Sequence, residues 1–219
     1  MKKLALVFII IFASNMVYSL DMVLGLKANF IPSVGGVRSG LDDKNYLASE
    51  SYFNNIGAGI FFDMVYARLD VEYNMSLAGN VDIQRMVASG TEISITPTNY
   101  GAATLSALSF DLMFKLPLDI GIGSIWIGAG FGYRMYLAMD YNGDGIDDLG
   151  TTFNMMNDIY ALVGGGLNLN FGTAIYLIPS FTLGYNLMPK MNDAAELPGN
   201  NYVYWMYEYK YNVALGIRI

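Results

Sequence analysis

Apolar and polar residues alternate with a period of two along most of the chain, and the pattern is cleanest at its end. Val203, Trp205, Tyr207, Tyr209, Tyr211, Val213, Leu215, Ile217 and Ile219 fall on one parity. Tyr204, Met206, Glu208, Lys210, Asn212, Ala214, Gly216 and Arg218 fall on the other. Successive side chains of a β-strand point to opposite faces, so this segment reads as a strand with one wholly apolar or aromatic face. The same alternation recurs over residues 22–30, 56–64, 67–75, 108–116, 125–135, 159–171 and 175–185. With the last segment, that predicts an all-β chain of about eight strands.

The predicted connections alternate in length. Short turns are expected at 64–66, at 117–121 and around Gly172, and long connections at 32–51, 78–103, 138–157 and 188–201. Short turns at one end and long loops at the other are the pattern of a closed antiparallel transmembrane β-barrel, with the turns periplasmic and the loops extracellular. Open strand edges cannot cross lipid, so the sheet must close.

The second parity decides which face is outside. It carries Lys27, Asp63, Arg68, Asp70, Glu72, Asp111, Lys115, Arg134, Glu208, Lys210 and Arg218, a near-balanced set of charges, together with many glycines. A soluble barrel would turn these residues to water and bury the apolar parity. A membrane barrel inverts the arrangement and packs the charges in its lumen as ion pairs. Trp126, Tyr160, Tyr176 and Tyr204 share the inward parity and would help to fill a narrow interior. No charge occurs between residues 159 and 189, a run long enough for a membrane helix, but Asn168, Asn170, Gly172 and Pro179 interrupt it and two strands with a turn account for it.

Composition agrees. The 219 residues include 17 Tyr, 12 Phe and 24 Gly, and only 14% are charged, whereas a soluble domain is nearer a quarter charged. There is no cysteine and no histidine, which removes the thiolate nucleophile, the disulfide, the commonest general base and the commonest zinc ligand. The net charge of −7 is the wrong sign for a nucleic-acid partner.

At the start of the chain, Lys2 and Lys3 precede an apolar run over residues 4–13, and Val17 and Ser19 are small. That is the layout of a secretory signal peptide cleaved after Ser19. The run is too short for an anchor helix, which needs about 20 residues. The expected division is a signal over 1–19 and a barrel over 20–219, exported through the periplasm to a bacterial outer membrane.

The alternating strands, the Gly130-Phe131-Gly132-Tyr133 and Gly184-Tyr185 steps, and a strand that runs to Ile219 resemble the small outer-membrane β-barrel family of the OmpA, OmpX and opacity-protein type. That family usually ends in Phe, where this chain has Ile219. The resemblance implies membrane lipids and the barrel-assembly machinery, which reads the last strand, as partners. It implies a fold rather than an activity.

One loop motif carries candidate chemistry. Asp140-Tyr141-Asn142-Gly143-Asp144-Gly145-Ile146-Asp147-Asp148 places oxygen ligands Asp140, Asn142, Asp144 and Asp148 at the spacing that opens a calcium loop. The twelfth position is Thr151 where a bidentate Glu is expected, and an acidic Asn/Gly-rich turn accounts for the same residues. Calcium is the one cofactor that the sequence suggests.

The functional expectation is a structural or surface-interaction barrel that acts through extracellular loops, with Tyr46, Tyr52, Tyr100, Tyr141 and Phe153 available for an extracellular ligand. A narrow ion-conducting channel is the alternative, because eight strands leave an interior that side chains can just fill. A membrane-embedded enzyme comes last, and no residue is read as catalytic.

Overall fold

A computed structural model describes residues 22–42, 45–88, 91–93, 98–102, 104–140, 157–187 and 201–219. The segment read as a signal lies outside the described residues. Among these, no helix is long and apolar enough to cross a membrane. The strands in chain order are β1 (Val23–Asp42), β2 (Asn45–Asp63), β3 (Ala67–Ala88), β4 (Thr91–Ile93), β5 (Thr98–Ala102), β6 (Thr104–Asp119), β7 (Gly123–Asp140), β8 (Asn157–Phe171), β9 (Ile175–Asn186) and β10 (Asn201–Arg218). The short strands β4 and β5 add to β3, and the eight long ones make the wall.

Every neighbouring pair is antiparallel, in the order β2-β1-β10-β9-β8-β7-β6-β3, and the β2–β3 pairing closes the ring. The meander thus becomes an eight-stranded barrel in which the last strand seals against the first, Val23 facing Arg218 and Gly25 facing Gly216.

Three tight turns gather at one end. The Met64 N–H donates to the Ala67 carbonyl at 2.7 Å, and the Ile120 N–H to the Gly123 carbonyl at 2.9 Å. Gly121 and Gly172 take φ of 85° and 70°, the left-handed region that a Cβ disfavours. Pro117 lies inside β6, opposite Trp126, so that turn begins later than expected, after Asp119.

The other end departs from expectation. Within the stretch 32–51, β1 and β2 stay in ladder up to Gly40 opposite Tyr46 and Asp42 opposite Asn45. Within 78–103, β3 continues to Ala88 and β4 and β5 pair with it. The apolar alternation fades there although the pairing continues. A strand needs only about 9–11 residues to span the hydrocarbon, and beyond it neither face meets lipid. Backbone hydrogen bonds keep the strands together where no hydrophobic pattern is required.

Two prolines interrupt ladders of the wall. Lacking an N–H, proline cannot donate to a ladder. The β1–β10 ladder skips from Phe30–Tyr211 to Ser33–Glu208 around Pro32, and the β8–β9 ladder from Gly166–Ser180 to Leu169–Leu177 around Pro179. Beside the first gap, the Asn212 side-chain amide donates to the Lys210 carbonyl at 3.4 Å.

Candidate functional site

The lumen is layered along the barrel axis. Near the turns, Val23, Phe61, Tyr176, Ile178 and Ala214 form an apolar floor. Toward the long-strand end lies a layer of amides and hydroxyls: Asn74 donates to Ser109 at 2.6 Å, Ser76 to Asn55 at 2.6 Å, and Asn55 to Ser33 at 3.4 Å. Between them sit the charges.

These charges form one alternating chain. The Arg68 guanidinium donates to Asp70 at 2.8 Å, and Asp70 faces Lys27 at 3.1 Å. Lys27 also pairs with Glu72, which receives Lys210 at 2.8 Å and the Asn29 amide at 2.8 Å. Lys210 reaches Asp111 at 2.5 Å, Asp111 holds Arg134 at 2.5 Å, and Arg134 grips Glu208 at 2.8 Å. Five strands contribute: β1, β3, β6, β7 and β10. All eight side chains are buried. Lys115 and Asp63 form a separate buried pair nearer the turns.

Uncharged side chains pack beside the charges. Met113, Trp126, Tyr160 and Leu162 pack together from β6, β7 and β8. Their rings receive cations, with Arg134 5.0 Å from the centre of Tyr160 and Lys115 5.5 Å from that of Trp126. Glycines make the room. A Cβ on Gly132 would stand 2.6 Å from Asp111 Oδ1 and 2.9 Å from Arg134 Nη1.

Two spaces flank the charges. One of about 380 Å³ opens at the turn end, lined by Asp63, Asp119, Asn168, Asn170, Tyr176 and Arg218 among others. The other, of about 20 Å³ between Asn55, Asn74, Tyr136, Arg134 and Glu208, has room for about one water.

Outside, the dressing inverts. Leu26, Ile60, Leu116, Ile127, Phe131, Val163 and Leu215 are each more than half exposed, at 52–69%. They belong to a belt of exposed aliphatic and aromatic side chains carried by every long strand. Water would not tolerate a continuous apolar surface of that extent on a monomer. The solved structure of the outer membrane protein OprG from Pseudomonas aeruginosa superposes with a TM-score of 0.52 at 11% identity, over 91% of this chain and 95% of that one. The fold is that of an outer-membrane β-barrel.

Two further solved structures align over most of their length: the outer membrane protease OmpT from Escherichia coli (TM-score 0.48, 12% identity, 92% of this chain and 98% of that one) and Neisserial surface protein A (TM-score 0.43, 12% identity, 90% and 97%). No family model matches the chain, and no curated protein matches it. As an outer-membrane barrel it keeps its charge inside and its apolar surface toward lipid, which is how such proteins satisfy their surroundings.

Ten of the eleven charges expected in the lumen are buried there. Arg218 is the exception. It has the inward parity but ends β10 at the rim, exposed, where it donates to the Tyr176 hydroxyl and lies over that ring. Of the inward aromatics, Trp126, Tyr160 and Tyr176 are buried, and the Tyr204 side chain lies outside the described residues. Sequence reading missed Asp158, which is buried and accepts the Tyr136 hydroxyl at 2.7 Å. It shares the parity of Tyr160, two residues on, and that parity was the available signal.

Of the calcium-like motif, Asp140 closes β7, its side chain outside the described residues, as are Asn142, Asp144 and Asp148 altogether. Among the described residues, Asp70, Glu72 and Asp111 bring three carboxylates within 4.8 Å of one another. The ammonium groups of Lys27 and Lys210 already supply the positive charge that a divalent ion would bring there. Of the candidate ligand-facing aromatics, Tyr52 is exposed on β2 and donates to Glu50 at 2.9 Å. Tyr46 and Tyr100 occupy β2 and β5, and Tyr141 and Phe153 lie outside the described residues.

Proposed function

We propose that this barrel is a plugged scaffold of the outer membrane that presents its long-strand end at the cell surface to an extracellular partner, with its short turns in the periplasm. One observation carries the reading: the alternating chain from Arg68 to Glu208 spans the lumen with every member paired. Conduction would require parting several of these pairs in a poorly hydrated interior, where leaving a charge unpaired is costly. Binding then belongs to the long-strand end, where strands β1, β2 and β3 of 20, 19 and 22 residues outrun the bilayer.

The same pairing argues against catalysis in the lumen. Each buried carboxylate among the described residues is engaged by a cation or, for Asp158, by a hydroxyl, and the chain has neither His nor Cys to serve as base or nucleophile.

The test is planar-bilayer recording on refolded, heat-modifiable protein, followed by adhesion of cells displaying the barrel to immobilised matrix proteins. Silence in the bilayer is expected, together with adhesion that is lost when residues 141–156 are replaced by a short linker. Discrete, reproducible openings whose ion selectivity changes in Arg134→Gln would replace the scaffold reading with a narrow channel. Adhesion no greater than that of cells lacking the barrel would remove the surface role.

A further inference from the structure

The seam between the first and last strands carries a pair of facing glycines. Gly25 on β1 and Gly216 on β10 are direct partners, and across the other ladder of β1 the partner of Gly25 is Phe61 on β2. All three share the inward parity, and only Phe61 brings a side chain. Its ring reaches past the neighbouring strand. A Cβ on Gly25 would stand 2.7 Å from Phe61 Cε1, and a Cβ on Gly216 would stand 2.7 Å from Phe61 Cζ. One ring rooted on β2 therefore lies against both strands of the seam, and it is 1% exposed.

A cation rests on the same ring. The Arg68 guanidinium lies 4.5 Å from the centre of Phe61. Its Nε donates to Asp70 at 2.8 Å, whereas Nη1 and Nη2 are buried and make no hydrogen bond among the described residues. The π-face of Phe61 is what that end of the guanidinium meets instead. Arg68 is also the head of the alternating chain of charges, which continues through Asp70 to Lys27 on β1 and through Glu72 to Lys210 on β10.

We propose that Phe61 and Arg68 form a lock that couples closure of the β1–β10 seam to assembly of the lumen charges. Pairing β1 with β10 joins the two ends of the chain, so its loop-closure entropy is the largest of any ladder in the wall. Until β10 docks, Phe61 has Gly25 beside it and no second strand. Docking of Gly216 completes its seat. The ring is then fixed, and it offers Arg68 a face that holds the guanidinium with Nε on Asp70. A methyl at position 216 would occupy the place of the ring. In the other direction, parting the seam exposes the ring and takes from Arg68 the face on which its η-nitrogens rest. The barrel cannot open sideways at its turn end and keep the head of its charge chain in place.

Hydrogen exchange read by mass spectrometry on the refolded barrel in micelles tests this. Phe61→Leu is expected to speed exchange over 23–28 and 213–218 about tenfold or more, and to leave the β6–β7 ladder unchanged. Arg68→Met changes a residue of β3, outside the seam, and leaves Asp70 its Lys27 partner, yet it is expected to speed the same amides. The double variant should be no faster than Phe61→Leu alone. Gly216→Ala should also loosen the seam, and adding Phe61→Leu should recover part of that loss. Heat-modifiable migration reports that each variant is folded, and Phe61→Met stands in if Phe61→Leu does not fold. Unchanged seam exchange in Phe61→Leu, equal acceleration in every ladder, an Arg68→Met barrel with the seam intact, or effects of the two that simply add would each overturn the lock.

Discussion

Arg134 on β7 reaches across the lumen to Glu208 on β10, with β8 and β9 between them in the ring and a separation of 74 positions in sequence, and meets it at 2.8 Å. The same guanidinium holds Asp111 on the adjacent strand β6 at 2.5 Å. One side chain thus ties three strands of the closed barrel together.

Removing it should be costly. Arg134→Met leaves Glu208 buried without its cation and strips Asp111 of one of two, so a loss of about 3–5 kcal/mol is expected. Urea titration of the refolded barrel in micelles measures it. The double variant Arg134→Met with Glu208→Met should recover part of that loss, because no lone charge is left at position 208. A single variant as stable as the wild type would mean that the pair contributes nothing.

Gly132 faces Asp111 across the β6–β7 ladder. In Gly132→Ala the new methyl would meet Asp111 Oδ1 at 2.6 Å and Arg134 Nη1 at 2.9 Å. Both groups are fixed by other partners, so overpacking of about 1–3 kcal/mol is expected. The same urea titration applies, and an unchanged midpoint would show that the pair can shift freely.

The turn glycine Gly121 tests backbone rather than packing. Its φ is 85° and nothing lies within 4 Å of the place a Cβ would take, so Gly121→Ala should cost about 1–2 kcal/mol through strain alone. Gly121→Asn should cost less, since Asn tolerates this region. Equal losses in the two variants would point to some other cause.

The lipid-facing belt makes the sharpest contrast with a water-soluble barrel. Phe131 is 58% exposed between Leu112 and Ala161. Phe131→Arg should lower folding stability in lipid vesicles by about 2–4 kcal/mol if it lies near the midplane, whereas Phe131→Leu should be nearly silent. A neutral or stabilising Arg would mean that this face meets water.

Much of this architecture was legible in the sequence because a membrane barrel obeys a strict rule: alternate residues meet lipid or lumen. Parity alone separated Leu26 from Lys27 and Phe131 from Gly132. The rule fails where its cause stops. Toward the long-strand end the apolar alternation fades, so the continued β1–β2 ladder left no trace in it. Arg218 obeys the parity but sits at the rim, because parity carries no information about depth. Asp158 was lost at the margin of a segment.

From the amino-acid order alone came the strand count, the inward and outward faces and the closure of the sheet, since each follows from local periodicity and the need to satisfy backbone groups in lipid. Partnership came only with the tertiary structure. Arg134 with Glu208, Lys210 with Glu72, and cross-strand rows such as Phe181, Tyr211 and Phe30 depend on the register between strands. Register is set by ring closure and turn geometry acting together, and no single segment contains it.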